Sequence, residues 1–565
     1  MTGSDTGADL FVDALERYGV EYVFGNPGTT ELPVMEALAD SDLEYVLGLH
    51  EDVAVGMAAG YAQTRRYHGH HDADVTPVGV ANLHTAPGTA HGLGNLLNAK
   101  FTGAPLVVTA GHHSTDFRHE EPILAGDLVE MTDQYCKWSA EVLDVDALPT
   151  MLRRAFRVAL SPPTGPVFLG LPMDVTMAET DADPERLGEI PNAGRGDPGQ
   201  IERAADLLVD AEGAVLVVGD GIARSGEDAV GAAVDLAEAV GMRVHGEILA
   251  CEVDFPTGHD QWVSYIPPDE DLAATIMSTD VLVLAGTSTS TTLTAHERDL
   301  VSEDTTCVHL GDDAWQLGKN QPADAAVLGD PGLVMAELAE RVGDRIDEGT
   351  VQRRLENVDV FKQMAAQQVE EMGEDEKPDD PRASKVELVD AMEAVAGDAY
   401  VVDEGVTSKY AMLTRWDFTP EQYVSNKGGG LGYGLPAAVG AAMAEADRED
   451  RQPRDVVGFV GDGSYLYYPQ TMYSAARHDV DLTAVIPDNR NYRILKDNTL
   501  DIFGGDEDDH EFVGMDFDPP VDLPANAQSH GAEGRLVERP DEIEDALAEA
   551  LESDGPVVLD VLVHD

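Results

Sequence analysis

The chain has few cysteines, few basic residues and no long apolar run, and each scarcity excludes a class of protein. Its 565 residues include only Cys136, Cys251 and Cys307, which are far apart and form no CxxC pair. A disulfide scaffold needs paired cysteines and a zinc site needs clustered ones, so both are excluded. We expect three buried thiols in a protein of a reducing compartment.

Basic residues are greatly outnumbered by acidic ones. The 36 lysines and arginines face 107 aspartates and glutamates, so the formal net charge is 36 − 107 = −71. Nucleic acid is an improbable partner, because phosphate neutralisation requires basic patches and the sequence has none. The acidic residues are spread along the chain, which is typical of a solvated surface. We expect a halophilic protein, since concentrated salt screens the self-repulsion of such a charge.

No apolar run approaches the length that spans a membrane, and the first twenty residues lack a basic segment followed by an apolar core. We therefore predict a soluble cytoplasmic protein. The chain is too long for a single hydrophobic core and should divide into about three or four domains.

Apolar, strand-like runs alternate with helical patterns over most of the chain. Two segments interrupt this alternation, residues 182–200, rich in Asp, Pro and Gly, and the charged residues 372–384. The pattern predicts an α/β protein with three doubly wound domains and mainly parallel sheets. We place the domains at residues 1–181, 200–345 and 385–565.

The most informative stretch covers residues 456–496. A β-branched apolar run, Val456–Val460, ends at Gly461-Asp462-Gly463, and a helical pattern leads from there to a second apolar run, Leu482–Ile486. This predicts a strand, helix, strand unit, and open α/β sheets bind ligands at the carboxyl ends of their strands. Taken alone, however, the Gly-Asp-Gly tripeptide is better explained as an ordinary turn between a strand and a helix.

Oxygen ligands follow both predicted strands of this unit. Asp462 follows the first strand and Asn489 the second, and the backbone carbonyl of Asn491 can add a third ligand. Such hard oxygen ligands suit Mg²⁺, and the glycines let the main chain approach a phosphate closely. The stretch therefore predicts Mg²⁺ held by the protein on one side and by a diphosphate on the other.

In the first domain, Thr29, Glu51 and His84 also follow predicted strands. Each has an ordinary alternative interpretation. Thr29 could cap a helix, Glu51 could favour the positive end of the helix that follows it, and His84 could be a loop histidine. The three histidines of the segment YHGHHD, residues 67–72, look like an exposed loop tip.

Seven stretches of the chain together resemble the thiamine diphosphate (ThDP)-dependent decarboxylase and acetolactate synthase superfamily. In chain order they are VFGNPGTTELPV, GLHEDVAVGMAAGYAQ, NLHTAPGT, APLVVTAG, GPVFLGLP, GGGLGYGLPAAVGA and GDGS. The pattern is most similar to the benzoylformate decarboxylase family. This resemblance implies a pyrimidine-binding, a middle and a diphosphate-binding domain, in a homodimer or homotetramer whose active sites lie between subunits.

The resemblance also implies which residues bind the cofactors. The ThDP contacts would be Asn26, Pro27, Gly28, Glu51, Leu431, Gly461, Asp462, Gly463 and Ser464, with Mg²⁺ held by Asp462, Asn489 and Asn491. Glu51 would protonate the aminopyrimidine ring, and Leu431 would hold the cofactor in a bent shape. Asp488 stands where the family usually has the first residue of an Asn pair.

Catalysis would further use Thr29, His84 and His259, the last in the segment FPTGHD. Two histidines that titrate near neutral pH can supply and remove protons at a reacting carbon. Acetolactate synthases usually have a Ser-Gly-type pair at the position of His84. The resemblance therefore favours a decarboxylase that converts a 2-oxo acid to an aldehyde and CO₂, with a carboligase and a non-catalytic binding subunit as alternatives.

The substrate pocket departs from that of the family. Ser425 and Asn498 match positions that carry aromatic rings there, and Ile494 matches a small alanine. These changes remove stacking partners and narrow the cavity, so we expect a smaller or more polar 2-oxo acid than benzoylformate. In the middle domain, Gly219-Asp220-Gly221 begins like a dinucleotide fingerprint, but Arg224 replaces its third glycine, which argues against a nucleotide.

The charge leads to a first testable expectation. Dilution from concentrated KCl into low-salt buffer should unfold the protein, because the repulsion within a chain of charge −71 is no longer screened. Far-ultraviolet circular dichroism across a KCl series measures the transition. A chain that keeps its full secondary structure in low salt would contradict the expectation.

Overall fold

The computed structural model describes residues 5–289, 291–292, 295–374 and 380–565, with the backbone alone at residue 357 and at residues 366–374. The chain forms two compact units. The first comprises residues 1–190, 379–409 and 428–565, and the second comprises residues 191–378 and 410–427. The predicted linker at 372–384 lies partly outside the described residues, and a helix occupies its first three positions.

The strands, in chain order, are β1 (Asp5–Thr6), β2 (Tyr22–Gly25), β3 (Glu44–Leu47), β4 (Gly79–His84), β5 (Leu106–His112), β6 (Trp138–Glu141), β7 (Val167–Pro172), β8 (Glu179–Thr180), β9 (Ala214–Val218), β10 (Arg243–Gly246), β11 (Trp262–Tyr265), β12 (Val281–Ala285), β13 (Thr306–Gly311), β14 (Ala325–Leu328), β15 (Tyr400–Glu404), β16 (Tyr423–Ser425), β17 (Val456–Val460), β18 (Leu482–Asp488), β19 (Glu533–Val537) and β20 (Pro556–Leu562).

The α-helices are α1 (Gly7–Arg17), α2 (Leu32–Ala39), α3 (Glu51–His71), α4 (Thr85–His91), α5 (Leu93–Thr102), α6 (Leu128–Asp133), α7 (Leu148–Leu160), α8 (Met173–Thr176), α9 (Pro198–Asp210), α10 (Glu227–Val240), α11 (Glu270–Met277), α12 (Pro331–Gly343), α13 (Glu348–Glu374), α14 (Lys385–Ala396), α15 (Lys409–Arg415), α16 (Gly434–Ala446), α17 (Asp462–Tyr465), α18 (Thr471–Arg477), α19 (Arg493–Phe503), α20 (Leu523–Ser529) and α21 (Ile543–Leu551). Within the described ranges, no helix is long and apolar enough to cross a bilayer.

The predicted α/β fold with three parallel sheets is confirmed. The first unit carries one sheet in the order β3-β2-β4-β5-β7-β6 and another in which β15-β17-β18-β20-β19 are neighbours. The second unit carries a sheet in the order β11-β10-β9-β12-β13-β14. Neighbouring strands in these orders run parallel. Apolar side chains of the strands are buried, as expected for sheets covered by helices on both faces.

Helices α3 and α16 of the first unit pack against each other with almost no side chain between them. A Cβ atom at Gly60 would overlap the Ala437 backbone, and one at Gly440 would overlap the Met57 carbonyl oxygen. Both helices are rich in Ala and Gly and are buried on most of their circumference. The glycines are therefore required by backbone contact, because any side chain at these positions would force the helices apart.

The interpretation of YHGHHD as an exposed loop tip is correct for the exposure of His70 and His71 and wrong for the rest. Helix α3 continues to His71, and His68 is buried with its Nε2 3.2 Å from Glu445 Oε1 in the same unit. The acidic partner lies 377 positions away along the chain, so the local pattern could not reveal it. The expectation that Cys136, Cys251 and Cys307 are buried free thiols is confirmed.

The Gly219-Asp220-Gly221 loop of the second unit is explained by packing inside that unit. Cβ atoms at Gly219 and Gly221 would overlap the backbone around Gly286. The Asp220 carboxylate accepts the backbone N–H of Cys251 at 2.8 Å and is paired with Lys427. Arg224, which replaces the expected third glycine, donates its Nε–H to Glu252 at 3.0 Å. The loop residues thus serve internal contacts that account for its sequence.

Close packing of α3 and α16 predicts the effect of adding one methyl group. Gly440→Ala should destabilise the protein by about 1–3 kcal/mol, the usual cost of overpacking. Gly231→Ala is the control, because Gly231 lies in α10 with open space around it. There, alanine should stabilise by up to about 1 kcal/mol through its helix propensity. Denaturant midpoints measured in concentrated KCl give the stability of both variants. A Gly440→Ala protein as stable as the parent would contradict the packing argument.

Candidate active site

His84 lies at the carboxyl edge of the first sheet, where β2 and β4 are neighbours. β2 ends at Gly25 and leads into the Asn26-Pro27-Gly28 turn, and β4 ends at His84. The His84 ring occupies the position that a Cβ at Gly28 would fill, so this glycine is needed for the close approach. His84 Nδ1 lies 2.8 Å from Glu31 Oε2, and the same carboxylate oxygen accepts the Gly28 N–H at 2.9 Å. Glu31 therefore orients both the turn and the histidine.

The backbone just after His84 is strained. Thr85 has a φ of 42°, in the left-handed region that β-branched residues rarely adopt. Such outliers often occur at functional sites, because the surrounding structure must maintain them.

Thr29 lies in a short 3₁₀ turn beside Thr30, and the Thr30 hydroxyl donates a hydrogen bond to Glu31 at 2.7 Å.

Glu51 is the first residue of helix α3 and faces helix α4. Its Oε2 lies 3.0 Å from His91 Nδ1, and a Cβ at Gly88 would lie 3.0 Å from its Oε1. His50 precedes it as the helix cap, accepting the Asp52 N–H through Nδ1 at 3.1 Å. The carboxylate is thus held at the start of α3, with 14% of the side chain exposed.

Asp52 links the start of α3 to helix α5 and to the segment between α17 and α18. Its Oδ1 accepts the Asn95 N–H at 2.7 Å, and its Oδ2 accepts the Tyr468 hydroxyl hydrogen at 3.0 Å. Burial raises the pKa of Asp52 to about 6, although the Asn95 N–H lowers it. Two domains of the chain thereby contribute to the placement of the neighbouring Glu51.

A second group of predicted residues lines one cavity at the edge where β15 and β17 end. Glu404 and Val460, the last residues of these strands, are register partners. The cavity is lined by Lys385, Gly405, Val406, Thr407, Ser408, Leu431, Gly461, Asp462, Gly463, Ser464, Pro487, Asn489, Asn491, Tyr492, Arg493, Ile494 and Val563. The structure therefore brings together Leu431, the GDGS segment and the predicted metal ligands.

This cavity is electrostatically suited to a cation. Burial, followed by the adjacent Asp488 carboxyl group, raises the pKa of Asp462 to about 8. Burial and the same Asp488 also raise the pKa of Asp560 to about 8. Asp462 Oδ2 and Asn491 Oδ1 are buried without a hydrogen-bond partner. Such orphaned oxygens at a strand edge fit Mg²⁺, because hard oxygen ligands and a divalent charge offset the cost of burying them.

Glu404 holds the loop that carries Leu431 through hydrogen bonds to the loop backbone. Its carboxylate accepts the backbone N–H groups of Gly432 at 3.1 Å and Gly434 at 2.8 Å. Val406, which follows the same strand, lines the cavity with a φ of 37°. Leu431 is thus fixed just before helix α16, in the cavity where the cofactor would need support.

Several predicted residues lie apart from this cavity. Among the described residues that line it, neither Glu51 nor His84 is found. His259 belongs to the second unit, where its Nε2 lies 3.3 Å from Glu238 and its ring contacts Phe255. Ser425, in β16, is also in that unit, while Asn498 follows Ile494 by one turn of α19. The roles of His259, Ser425 and Asn498 stay predictions.

Sequence reasoning missed Glu31, His91, Glu404 and Lys385. The spacing Gly28-x-x-Glu31 is that of a cap, and this signal could have revealed Glu31. No local signal marks the others. His50, Glu51 and His91 also offer ligand atoms within 4.8 Å of one another, but imidazole nitrogens do not suit Mg²⁺.

Three parallel-sheet α/β domains, with acid and amide side chains beside a glycine-rich strand end, are the features expected of a protein that binds a diphosphate through a metal ion. Comparison with known proteins identifies the family within this class. The chain matches the N-terminal TPP binding domain of thiamine pyrophosphate enzymes over residues 5–135, their central domain over 201–338 and their C-terminal TPP binding domain over 403–561. The chain therefore belongs to the thiamine pyrophosphate (ThDP) enzyme family.

Relatives with related activities are similar over nearly the whole chain. Benzoylformate decarboxylase from Pseudomonas aeruginosa is 30% identical over 555 residues, with 97% of each chain covered. A probable acetolactate synthase large subunit from Methanocaldococcus jannaschii is 27% identical, with 99% of this chain and 92% of the relative covered. A solved structure of a 4-hydroxybenzoylformate decarboxylase from Rhodococcus jostii RHA1 superimposes with a TM-score of 0.83 at 27% identity, covering 99% of both chains.

The buried Oδ2 atom of Asp462, which has no hydrogen-bond partner, generates a binding prediction. Asp462→Asn should weaken Mg²⁺-dependent ThDP binding by at least about 100-fold, since even partners outside the ligand shell change metal affinity 10–100-fold. Asp501→Asn on the exposed side of α19 is the matched control and should bind normally. Titration calorimetry in concentrated KCl measures both variants. Equal affinity of Asp462→Asn and the parent would contradict the metal assignment.

Proposed function

We propose that the protein is a ThDP- and Mg²⁺-dependent lyase that decarboxylates a 2-oxo acid to an aldehyde and CO₂. The observation that carries the proposal is His84, held by Glu31 against the Asn26-Pro27-Gly28 turn. Release of an aldehyde needs a proton donor beside the reacting carbon, whereas carboligation needs room for a second carbonyl compound. The similarity to two decarboxylases supports this choice.

Each residue has a physical role in this proposal. Asp462, Asn489 and the Asn491 carbonyl would hold Mg²⁺ and, through it, the diphosphate, and Leu431 would support the cofactor between its two rings. Glu51 would give a proton to the aminopyrimidine and take it back. When bound, ThDP supplies a nucleophilic carbon that accepts the electrons released with CO₂. Thr29, His84 and His259 would orient the 2-oxo acid and move protons.

Glu51 is not among the described residues that line the Asp462 cavity, which supports a homodimer or homotetramer in which one subunit supplies Glu51 and another the cavity. Ile494 lines that cavity, and its bulk favours a 2-oxo acid smaller or more polar than benzoylformate. We further propose that the enzyme works in the cytoplasm of a cell with a high internal salt concentration, given the charge of −71.

The second candidate is a carboligase of the acetolactate synthase type, favoured by the similarity to acetolactate synthase large subunits. A non-catalytic binding subunit is disfavoured, because it would not need Glu51 or the buried Asp462 Oδ2 atom, which has no hydrogen-bond partner. A panel of 2-oxo acids, assayed in concentrated KCl with ThDP and Mg²⁺, separates the three. Aldehyde and CO₂ identify the lyase, acetolactate identifies the carboligase, and no product identifies the binding subunit.

Glu51→Gln tests the catalytic assignment directly. The variant should bind ThDP but lose turnover by about 100-fold or more, because an amide cannot donate and recover the proton. Glu36→Gln, an exposed position on α2, is the matched control and should retain parental turnover. Steady-state turnover rates of both variants and the parent, measured with the best substrate of the panel, test the role of Glu51. A Glu51→Gln enzyme of parental activity would refute the role given to Glu51.

A further inference from the structure

Glu51 and His91 form a pair whose two members differ in access to solvent. His91 Nδ1 lies 3.0 Å from Glu51 Oε2, and the side chains are 55% and 14% exposed, respectively. His91 is the last residue of α4, the helix that also places Gly88 against the other Glu51 oxygen. In the single chain, the enclosed carboxylate therefore contacts an imidazole that is about half exposed.

The other titratable groups around Glu51 are unsuited to carry its proton. Burial lowers the pKa of His50, whose Nδ1 already accepts the Asp52 N–H. Burial raises the pKa of the Tyr45 hydroxyl well above its ordinary value. The Tyr468 hydroxyl donates to Asp52, whose carboxylate is occupied by the start of α5. His50 stacks on His91 with ring centroids 5.1 Å apart, which supports the orientation of the His91 ring.

We propose that His91 is a positioning residue that carries protons between Glu51 and solvent. This inference rests on the proposed function, in which Glu51 exchanges a proton with the aminopyrimidine. Without such a path, the carboxylate could regain or release a proton only through the ligand that covers it. His91 acts through Glu51 and makes no contact with substrate in this scheme.

The proton balance of the relay is simple. Neutral His91 donates its Nδ1–H to the Glu51 carboxylate as a hydrogen bond. A proton from a solvent acid binds Nε2 and makes the imidazolium, the Nδ1–H bond breaks, and an O–H bond forms on Glu51 Oε2. A carboxylic acid and the neutral Nε2–H imidazole remain. The reverse sequence returns the proton to solvent and restores the first tautomer.

Two substitutions separate the relay from a hydrogen bond that merely holds Glu51. His91→Asn keeps a donor for Glu51 but cannot carry a proton, and His91→Ala removes both properties. The main readout is deuterium exchange at the acidic ring carbon of bound ThDP, followed by quenching and proton NMR, which needs no substrate. ThDP affinity is measured in parallel by calorimetry. His530→Asn is the control, because His530 contacts its own helix end at Asn526.

Both His91 variants should bind ThDP like the parent and exchange about tenfold more slowly, a smaller effect than the loss of a direct acid–base group. Added imidazole should restore exchange in His91→Ala in a saturable manner, and His530→Asn should behave as the parent. Parental exchange in His91→Asn would overturn the proposal, as would slow exchange that simply follows weakened ThDP binding or lack of rescue by imidazole.

The same experiment distinguishes failure of the relay from failure of the proposed function. If Glu51→Gln slows exchange but His91→Asn does not, the relay is wrong and the role of Glu51 stands. If Glu51→Gln exchanges like the parent, the role of Glu51, and with it the proposed function, is wrong. Slow exchange in both, in a protein that decarboxylates none of the 2-oxo acids, would refute the substrate class and support the relay.

Discussion

Backbone contact between helices α3 and α16 is the constraint on which the first compact unit depends. Gly60 and Gly440 leave no side chain at the crossing, so each helix lies against the main chain of the other. Helix α3 begins at Glu51, and helix α16 begins three residues after Leu431. A close-packed helix pair permits little sliding, since small displacements create overlaps. The glycine contacts therefore set the positions of two residues that the proposed chemistry needs.

In the Asp462 cavity, this acidic chain forms a site whose buried carboxyl groups favour a bound cation. Burial, followed by the neighbouring Asp488 carboxyl group, raises the pKa of Asp462 and of Asp560. A carboxylate without a partner is costly in such surroundings, and a divalent cation offsets that cost. Asp488 adds an acid beside the residues proposed to hold Mg²⁺. It strengthens the electrostatic preference for a cation without replacing any of those residues.

Much of the fold was predictable, because strands buried on both faces are apolar and continuous. The strand Val456–Val460 has the bounds that its sequence indicates. The edge strands Trp138–Glu141 and Glu533–Val537 were missed, since each is partly solvated and mixes polar with apolar residues. Helix α13 was missed because its sequence is largely polar and lacks a clear apolar face.

The sequence alone determined the α/β class, the order of the domains and the donor atoms of the Asp462 cavity, because each follows from apolar periodicity or from residues close together in the chain. Only the tertiary structure decided which partners the candidate catalytic groups have. Glu31 with His84, Glu51 with His91 and Asp52 with Tyr468 are 53, 40 and 416 positions apart. Such pairs form where the ends of strands and the starts of helices come together in the folded chain. Local sequence patterns do not reveal these contacts, because the residues are far apart in the sequence.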